Sequence, residues 1–112
     1  MAAADRLQIV RDCYRAYEVG DRRMLERHLG DDFRFFSPAD VGIDRARYFE
    51  RCWPNALQIS AFEYVRLEEI GDEVLVTYEC TRADGSRFRN TELMSFDGDK
   101  VSRVEVYFGW DL

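Results

Sequence analysis

The sequence is poor in the residues that staple, kink or metallate a small chain: two prolines, one histidine and three cysteines in 112 residues. Cys13, Cys52 and Cys80 are widely spaced and odd in number, with no C-x-x-C pair, which excludes a zinc ribbon and a disulfide framework. Three free thiols in a reducing cytoplasm are expected. A lone histidine, His28, gives no basis for a metal site; it falls in the last turn of a predicted helix, where a cation suits the dipole. No glycine-rich phosphate loop occurs, so no cofactor is expected. No apolar run approaches the roughly 18 residues of a membrane span. Asp5 and Arg6 fall where a signal peptide needs an unbroken apolar stretch. Positive charge is the scarce sign: the net charge is −6 and the isoelectric point about 4.8. That excludes the basic face of a nucleic-acid binder and attraction to an anionic membrane surface. The expectation is one soluble, cytoplasmic domain over 1–112.

What is abundant is apolar and aromatic: 46% hydrophobic residues, with eight Phe, six Tyr and two Trp. Each buried ring hides roughly 150–250 Å², so the chain can build a core and disorder is excluded.

Leu7, Val10, Cys13, Tyr14 and Tyr17 recur at three- and four-residue steps, one face of a helix capped by Asp5 and ended by Gly20. Asp21 caps a second, short helix with Met24, Leu25, His28 and Leu29 on its apolar face, which Gly30 is expected to stop. FRFFSP at 33–38 reads as a short strand ended by Pro38. A third helix follows, capped by Asp44, with Ile43 and Tyr48 at the staple positions. Ala46, Phe49 and Cys52 or Trp53 form its predicted buried face, and Pro54 closes it. Beyond residue 59 the period becomes two. Turn signals at Gly71-Asp72, Asp84-Gly85 and Gly98-Asp99 divide four strands, near 59–70, 73–82, 86–96 and 100–110. The order α-α-β-α-β-β-β-β predicts an α+β fold.

Several strings in this order resemble the nuclear-transport-factor-2-like (NTF2-like) superfamily, and within it the SnoaL-like branch. They are YEVGD at 17–21, DDFRFFSP at 31–38, DRARYFERCWP at 44–54 and FDGDKVSRVEVYFGW at 96–110. The resemblance implies a cystatin/NTF2-like cone, three N-terminal helices on a curved, mainly antiparallel sheet that encloses a pocket for a small apolar ligand. It also implies a homodimer through the outer sheet face. The superfamily includes ketosteroid isomerases, polyketide cyclases, dehydratases, epoxide hydrolases and transport adaptors, and fold does not choose among them.

Alternation over RFRNTELMSF places Phe88, Asn90, Glu92, Met94 and Phe96 on one face, and Arg87, Arg89, Thr91, Leu93 and Ser95 on the other. Glu92 then points inward, where desolvation favours the neutral acid. Such an acid can give a proton or a hydrogen bond to a developing oxyanion; alternatively Glu92 is paired within a mixed core. By resemblance Glu92 falls where ketosteroid isomerases hold their oxyanion-binding acid. Their general-base position is here Ser37 and their oxyanion tyrosine falls on Cys13, so that reaction is not expected. The epoxide-hydrolase positions fall on Tyr78, Cys80 and Val106, which excludes that chemistry.

Asp40 is the candidate replacement base, facing Glu92 across the pocket mouth, or else a solvated loop residue. Asn90 is placed to orient a carbonyl or to satisfy Glu92. Tyr17, Ser37, Tyr48, Trp53, Tyr78 and Phe108 are candidates for substrate contact, and the rings are equally core residues. A three-residue turn at 97–99 puts Val104, Val106 and Phe108 on the face of Glu92; a two-residue turn puts Glu105 and Tyr107 there. In the first case Arg87, Arg89, Leu93, Arg103, Glu105 and Tyr107 share the outer face, with Arg89 and Glu105 as a cross-strand ion pair. Two functional classes follow: a cofactor-independent isomerase, cyclase or lyase acting on an apolar carbonyl compound, or a non-catalytic binding or dimeric interaction domain.

Overall fold

The computed structural model describes residues 5–112; residues 1–4, the start of the stretch read for a signal peptide, lie outside the described residues. Helix α1 spans Arg6–Val19. The Asp5 carboxylate accepts the Gln8 N–H at 3.1 Å, and Gly20, at φ +71°, turns the chain out of the helix. The N–H groups of Gly20 and Asp21 both return to the Ala16 carbonyl, which satisfies it without a further helical turn. Asp21 immediately caps α2, Arg22–His28, through the Met24 N–H. Each such cap contributes about 1 kcal/mol.

Strand β1, Leu29–Phe36, follows without a loop and forms a hairpin with β2, Val41–Asp44. Helix α3, Arg45–Cys52, is capped by Asp44 on the Arg47 N–H and runs into a 3-10 helix, Trp53–Gln58. Strands β3 (Ile59–Ile70), β4 (Glu73–Arg82), β5 (Arg87–Asp97) and β6 (Lys100–Asp111) form a meander. The sheet order is β2-β1-β6-β5-β4-β3, antiparallel throughout except where β1 lies parallel to β6.

The helices cover one face of this sheet. Val10, Cys13 and Tyr14 of α1 and Leu25 of α2 are buried with the inward row of β4, Val74, Val76, Tyr78 and Cys80. Bulges interrupt pairing within β3 and between β5 and β6. Each extra residue bends its strand and adds twist, which curves the sheet around the helices.

Three local expectations need correction. The hairpin strand β2 was absent from the sequence reading, because four residues containing a glycine carry almost no periodic signal. Gly42 there adopts φ +72° against the Phe36 ring. Gly30 does not stop α2; Leu29 is already extended, because it pairs with Val101 of β6. Ala46 is exposed, and the buried face of α3 is Tyr48 and Phe49, since large rings gain more than a methyl group by facing the core. As expected, α3 ends just before Pro54, which then opens the 3-10 helix.

The last hairpin resolves the register in an unforeseen way. Its loop is the two-residue Gly98-Asp99, with Asp97 opposite Lys100. A bulge then follows: Phe96 faces Val101 while Ser95 faces Arg103, leaving Ser102 extra, its hydroxyl on the Ser95 carbonyl at 3.2 Å. This shifts the parity by one and puts Glu92 opposite Val106, with Glu105 outside. On that outer face the expected Arg89–Glu105 pair is absent. Glu79 lies directly opposite Arg89 on β4 and takes both Arg87 and Arg89, while Glu105 accepts from Arg103 and Tyr107.

No helix among the described residues is long and apolar enough to cross a membrane. No group of three His, Cys, Asp or Glu among them is placed to hold a metal ion.

Candidate functional site

Between the helices and the concave sheet lies a pocket of about 480 Å³, lined mainly by apolar and aromatic side chains. Strand β5 carries Glu92 to it and β4 carries Tyr78. The two are diagonal neighbours on one face, since Tyr78 pairs with Asn90 and Glu92 with Val76. The Tyr78 hydroxyl donates to Glu92 Oε2 at 2.7 Å. Glu92 is half-buried and lines the cavity. Burial pushes its pKa up, and the hydroxyls of Tyr78 and Tyr14 offset this in part. No Arg, Lys or His among the described residues is within salt-bridge distance of it.

Tyr14 of α1 packs edge-on against Phe62 and Tyr64 and at a tilt against Tyr78. Its hydroxyl reaches towards Glu92 without the geometry of a hydrogen bond, and its oxygen is buried with no partner. Across the cavity, Tyr17 of α1 and Tyr48 of α3 hold their hydroxyl oxygens 2.6 Å apart. Tyr17 leans on Trp53, and Tyr48 is wedged among Phe33, Phe35 and Phe49. Burial raises the pKa of all four tyrosines, so each keeps its proton. Burial likewise pushes the Cys13 thiol to about 12 and the Cys52 thiol to about 11, so neither is a ready nucleophile.

Of the residues proposed from sequence, Glu92, Tyr17, Tyr48, Tyr78, Asn90 and Phe108 line this pocket. Asn90 is largely committed to structure: its Oδ1 accepts the Gly109 N–H at 3.1 Å, and its amide lies 3.4 Å from the Tyr78 hydroxyl. Phe108 sits opposite Asn90 and is 60% exposed. Trp53 does not line the pocket; it supports Tyr17 instead. Ser37 is also outside, its hydroxyl accepting the N–H groups of Ala39 and Asp40 in a turn.

Asp40 does not face Glu92. It is held by Arg51 Nε at 2.9 Å, away from the pocket lining. The turn locked by Ser37 and the cation on α3 fix that orientation, and neither is visible in residue spacing. His28, for its part, contacts Asp12 at 3.0 Å.

Sequence reading missed Tyr14, Phe62 and Arg82 as lining residues. The signal for Tyr14 was available: it is one helical turn from Tyr17 on the same face. Resemblance assigned the oxyanion tyrosine's place to Cys13, and the neighbouring Tyr14 brings a hydroxyl to Glu92.

Chemically, the site is a mainly apolar cavity that brings together a carboxyl with a raised pKa and several tyrosine hydroxyls, with Arg82 also in its lining and no cation among the described residues within salt-bridge distance of Glu92. It favours a neutral acceptor such as a carbonyl oxygen.

No family model matches the chain, and no curated protein matches it. Solved structures do. An NTF2-like protein of unknown function from Cytophaga hutchinsonii superposes with a TM-score of 0.75 at 18% identity, covering 96% of this chain and 93% of that one. A cystatin-fold protein from Novosphingobium aromaticivorans gives 0.74 at 21% identity, covering 90% and 96%. A candidate polyketide cyclase from Sinorhizobium meliloti gives 0.71 at 21% identity, covering 88% and 93%. The architecture, helices closing a curved six-stranded sheet, is that of these neighbours, and the chain has the NTF2-like fold.

Proposed function

We propose that this chain is a small-molecule-binding protein of the SnoaL-like kind. Its pocket takes a neutral, largely apolar compound through a carbonyl oxygen that accepts from the protonated Glu92. The observation that carries this reading is Glu92 itself: a carboxyl with raised pKa, hydrogen-bonded by Tyr78, in an aromatic cavity, with no cation among the described residues within salt-bridge distance. An acid so held can also transfer its proton, the first half of a cofactor-independent isomerisation, cyclisation or elimination.

The second half needs a base. Asp40 is tied to Arg51, and the other carboxylate lining the pocket among the described residues is Asp111, exposed near the end of β6. A carrier or sensor role therefore leads, and catalysis on the same ligand class is the alternative. The outer sheet face, where Leu75, Leu93 and Tyr107 lie among ion pairs, is the surface proposed for a second copy of the chain.

The test is to titrate the protein with anthrone, a neutral aromatic ketone, across a pH series, following quenching of intrinsic fluorescence. Affinity is expected to fall as pH rises through the titration of Glu92, and to lose that dependence in Glu92→Gln. Failure of anthrone to bind, or the same pH profile in both proteins, overturns the reading.

A further inference from the structure

We infer that the ligand carries two acceptor oxygens on a flat apolar body, and that the Tyr17–Tyr48 hydroxyl pair binds the second. This rests on the reading of Glu92 as the partner of the first.

The inference comes from counting protons. A tyrosine hydroxyl has one proton to donate. Within the pair one hydroxyl donates to the other at 2.6 Å, and the second proton is left over. Neither oxygen makes another hydrogen bond among the described residues. The leftover proton has no protein acceptor, although Tyr48 is only 8% exposed. The rings cannot turn to seek one: Phe33, Phe35 and Phe49 hold Tyr48, and Trp53 holds Tyr17. A donor left idle in a buried place loses its hydration without return, and a ligand oxygen restores the bond.

The same excess appears at the other polar group. Tyr14 has a buried hydroxyl without a partner, and Tyr78 has already supplied its proton to Glu92. Open donors thus stand at two places, one on β4 and β5 with Tyr14, the other bridging α1 and α3. Tyr14 and Tyr17 lie one turn apart on α1, and both groups line the same cavity. Neither group includes a cation, which disfavours a carboxylate or phosphate at either place. The matching chemistry is a neutral dione or similarly dioxygenated aromatic compound.

Anthrone and anthraquinone test this cleanly: they share one three-ring frame and differ in a second carbonyl across the central ring. Both are titrated against wild type and Tyr17→Phe/Tyr48→Phe, with thermal melts confirming that the variant is folded. Wild type is expected to prefer anthraquinone by about three- to tenfold, the effect of one added hydrogen bond. The double variant is expected to bind the two ketones equally. Should the double variant not fold, the single variants replace it, and each must reduce the preference.

Equal binding of both ketones by wild type, or a preference that survives loss of both hydroxyls, overturns the second oxygen site while leaving the Glu92 reading in place. Failure of both ketones to bind overturns the Glu92 reading, and this inference with it.

Discussion

Replacing Tyr78 with Phe deletes one hydroxyl and keeps the ring, so its cost isolates the 2.7 Å bond to Glu92. That bond contributes about 0.5–1.5 kcal/mol when the acceptor is a neutral acid and about 1.5–3 kcal/mol when it is a carboxylate. Which value applies depends on pH. The folded pKa of Glu92 lies above its ordinary value of 4.5, so between the two the folded protein holds a proton that the unfolded chain has released. The sign follows: the stabilisation is complete below the unfolded value and is lost as pH rises through the folded one, by about 1.4 kcal/mol per unit of displacement. Because the Tyr78 bond favours the ionised form, its removal pushes the carboxyl higher and steepens the alkaline loss. Tyr78→Phe is therefore expected to cost about 1 kcal/mol near the acid end of the window and about 2 kcal/mol at the alkaline end. The weak Asn90 contact at 3.4 Å does not titrate and cancels in the difference.

The assay is urea unfolding at a series of pH values, extrapolated linearly to water. It is repeated in a Glu92→Gln background, where the cost of Tyr78→Phe should be independent of pH. Glu79, Asp84 and Glu105 do not interfere. Arg89, Ser86 and Tyr107 hold their carboxyls below the usual range, so their contributions are complete above the unfolded value and are lost only as pH falls through the lower folded values. A cost of Tyr78→Phe that is equal at both ends, or greater in acid, would refute the assignment of Glu92 as a buried acid.

A Cβ at Gly109 would sit 2.2 Å from the Arg89 carbonyl oxygen, so Gly109→Ala must break the bulge and its bond to Asn90, at an expected cost of about 2–4 kcal/mol. Gly30→Ala, whose nearest contacts are at 3.5 Å, should cost less than about 1 kcal/mol; similar melting temperatures for the two would disprove this. Asp40→Asn removes an outward ion pair and should leave anthrone affinity within about twofold and stability within about 1 kcal/mol; a tenfold loss of affinity would restore Asp40 to the pocket. Sedimentation velocity should detect a dimer that Leu93→Arg dissociates, and a monomeric wild type would remove the outer face as an interface.

Strand phase was the most readable feature of the chain. Asp5, Asp21 and Asp44 each cap a helix as their positions suggest, and the inward set Phe88, Asn90, Glu92, Met94 follows from period two alone. What escaped the sequence depends on contacts distant along the chain. Leu29 leaves its helix because Val101 is available to pair, and Ser102 bulges so that Val104 and Val106 face inward despite a two-residue turn. The site divides in the same way. Glu92 and Tyr78 were legible because strand alternation fixes their face, while Asp40 depends on a turn and on Arg51. A loop side chain has no periodicity to read.

The parallel contact between β1 and β6 has a kinetic meaning. The strand that joins the N-terminal hairpin to the meander is made last, and the segments it unites are separated by most of the sequence. Until β6 arrives, Phe33 and Leu29 on one side and Met94 on the other cannot belong to one sheet. Local pieces form early, but completion awaits a loop closure on the scale of the whole chain, which slows folding. During synthesis the aromatic edges of β1 and β5 stay unpaired until the final strand emerges, and in that interval the nascent chain is most exposed to association with its neighbours.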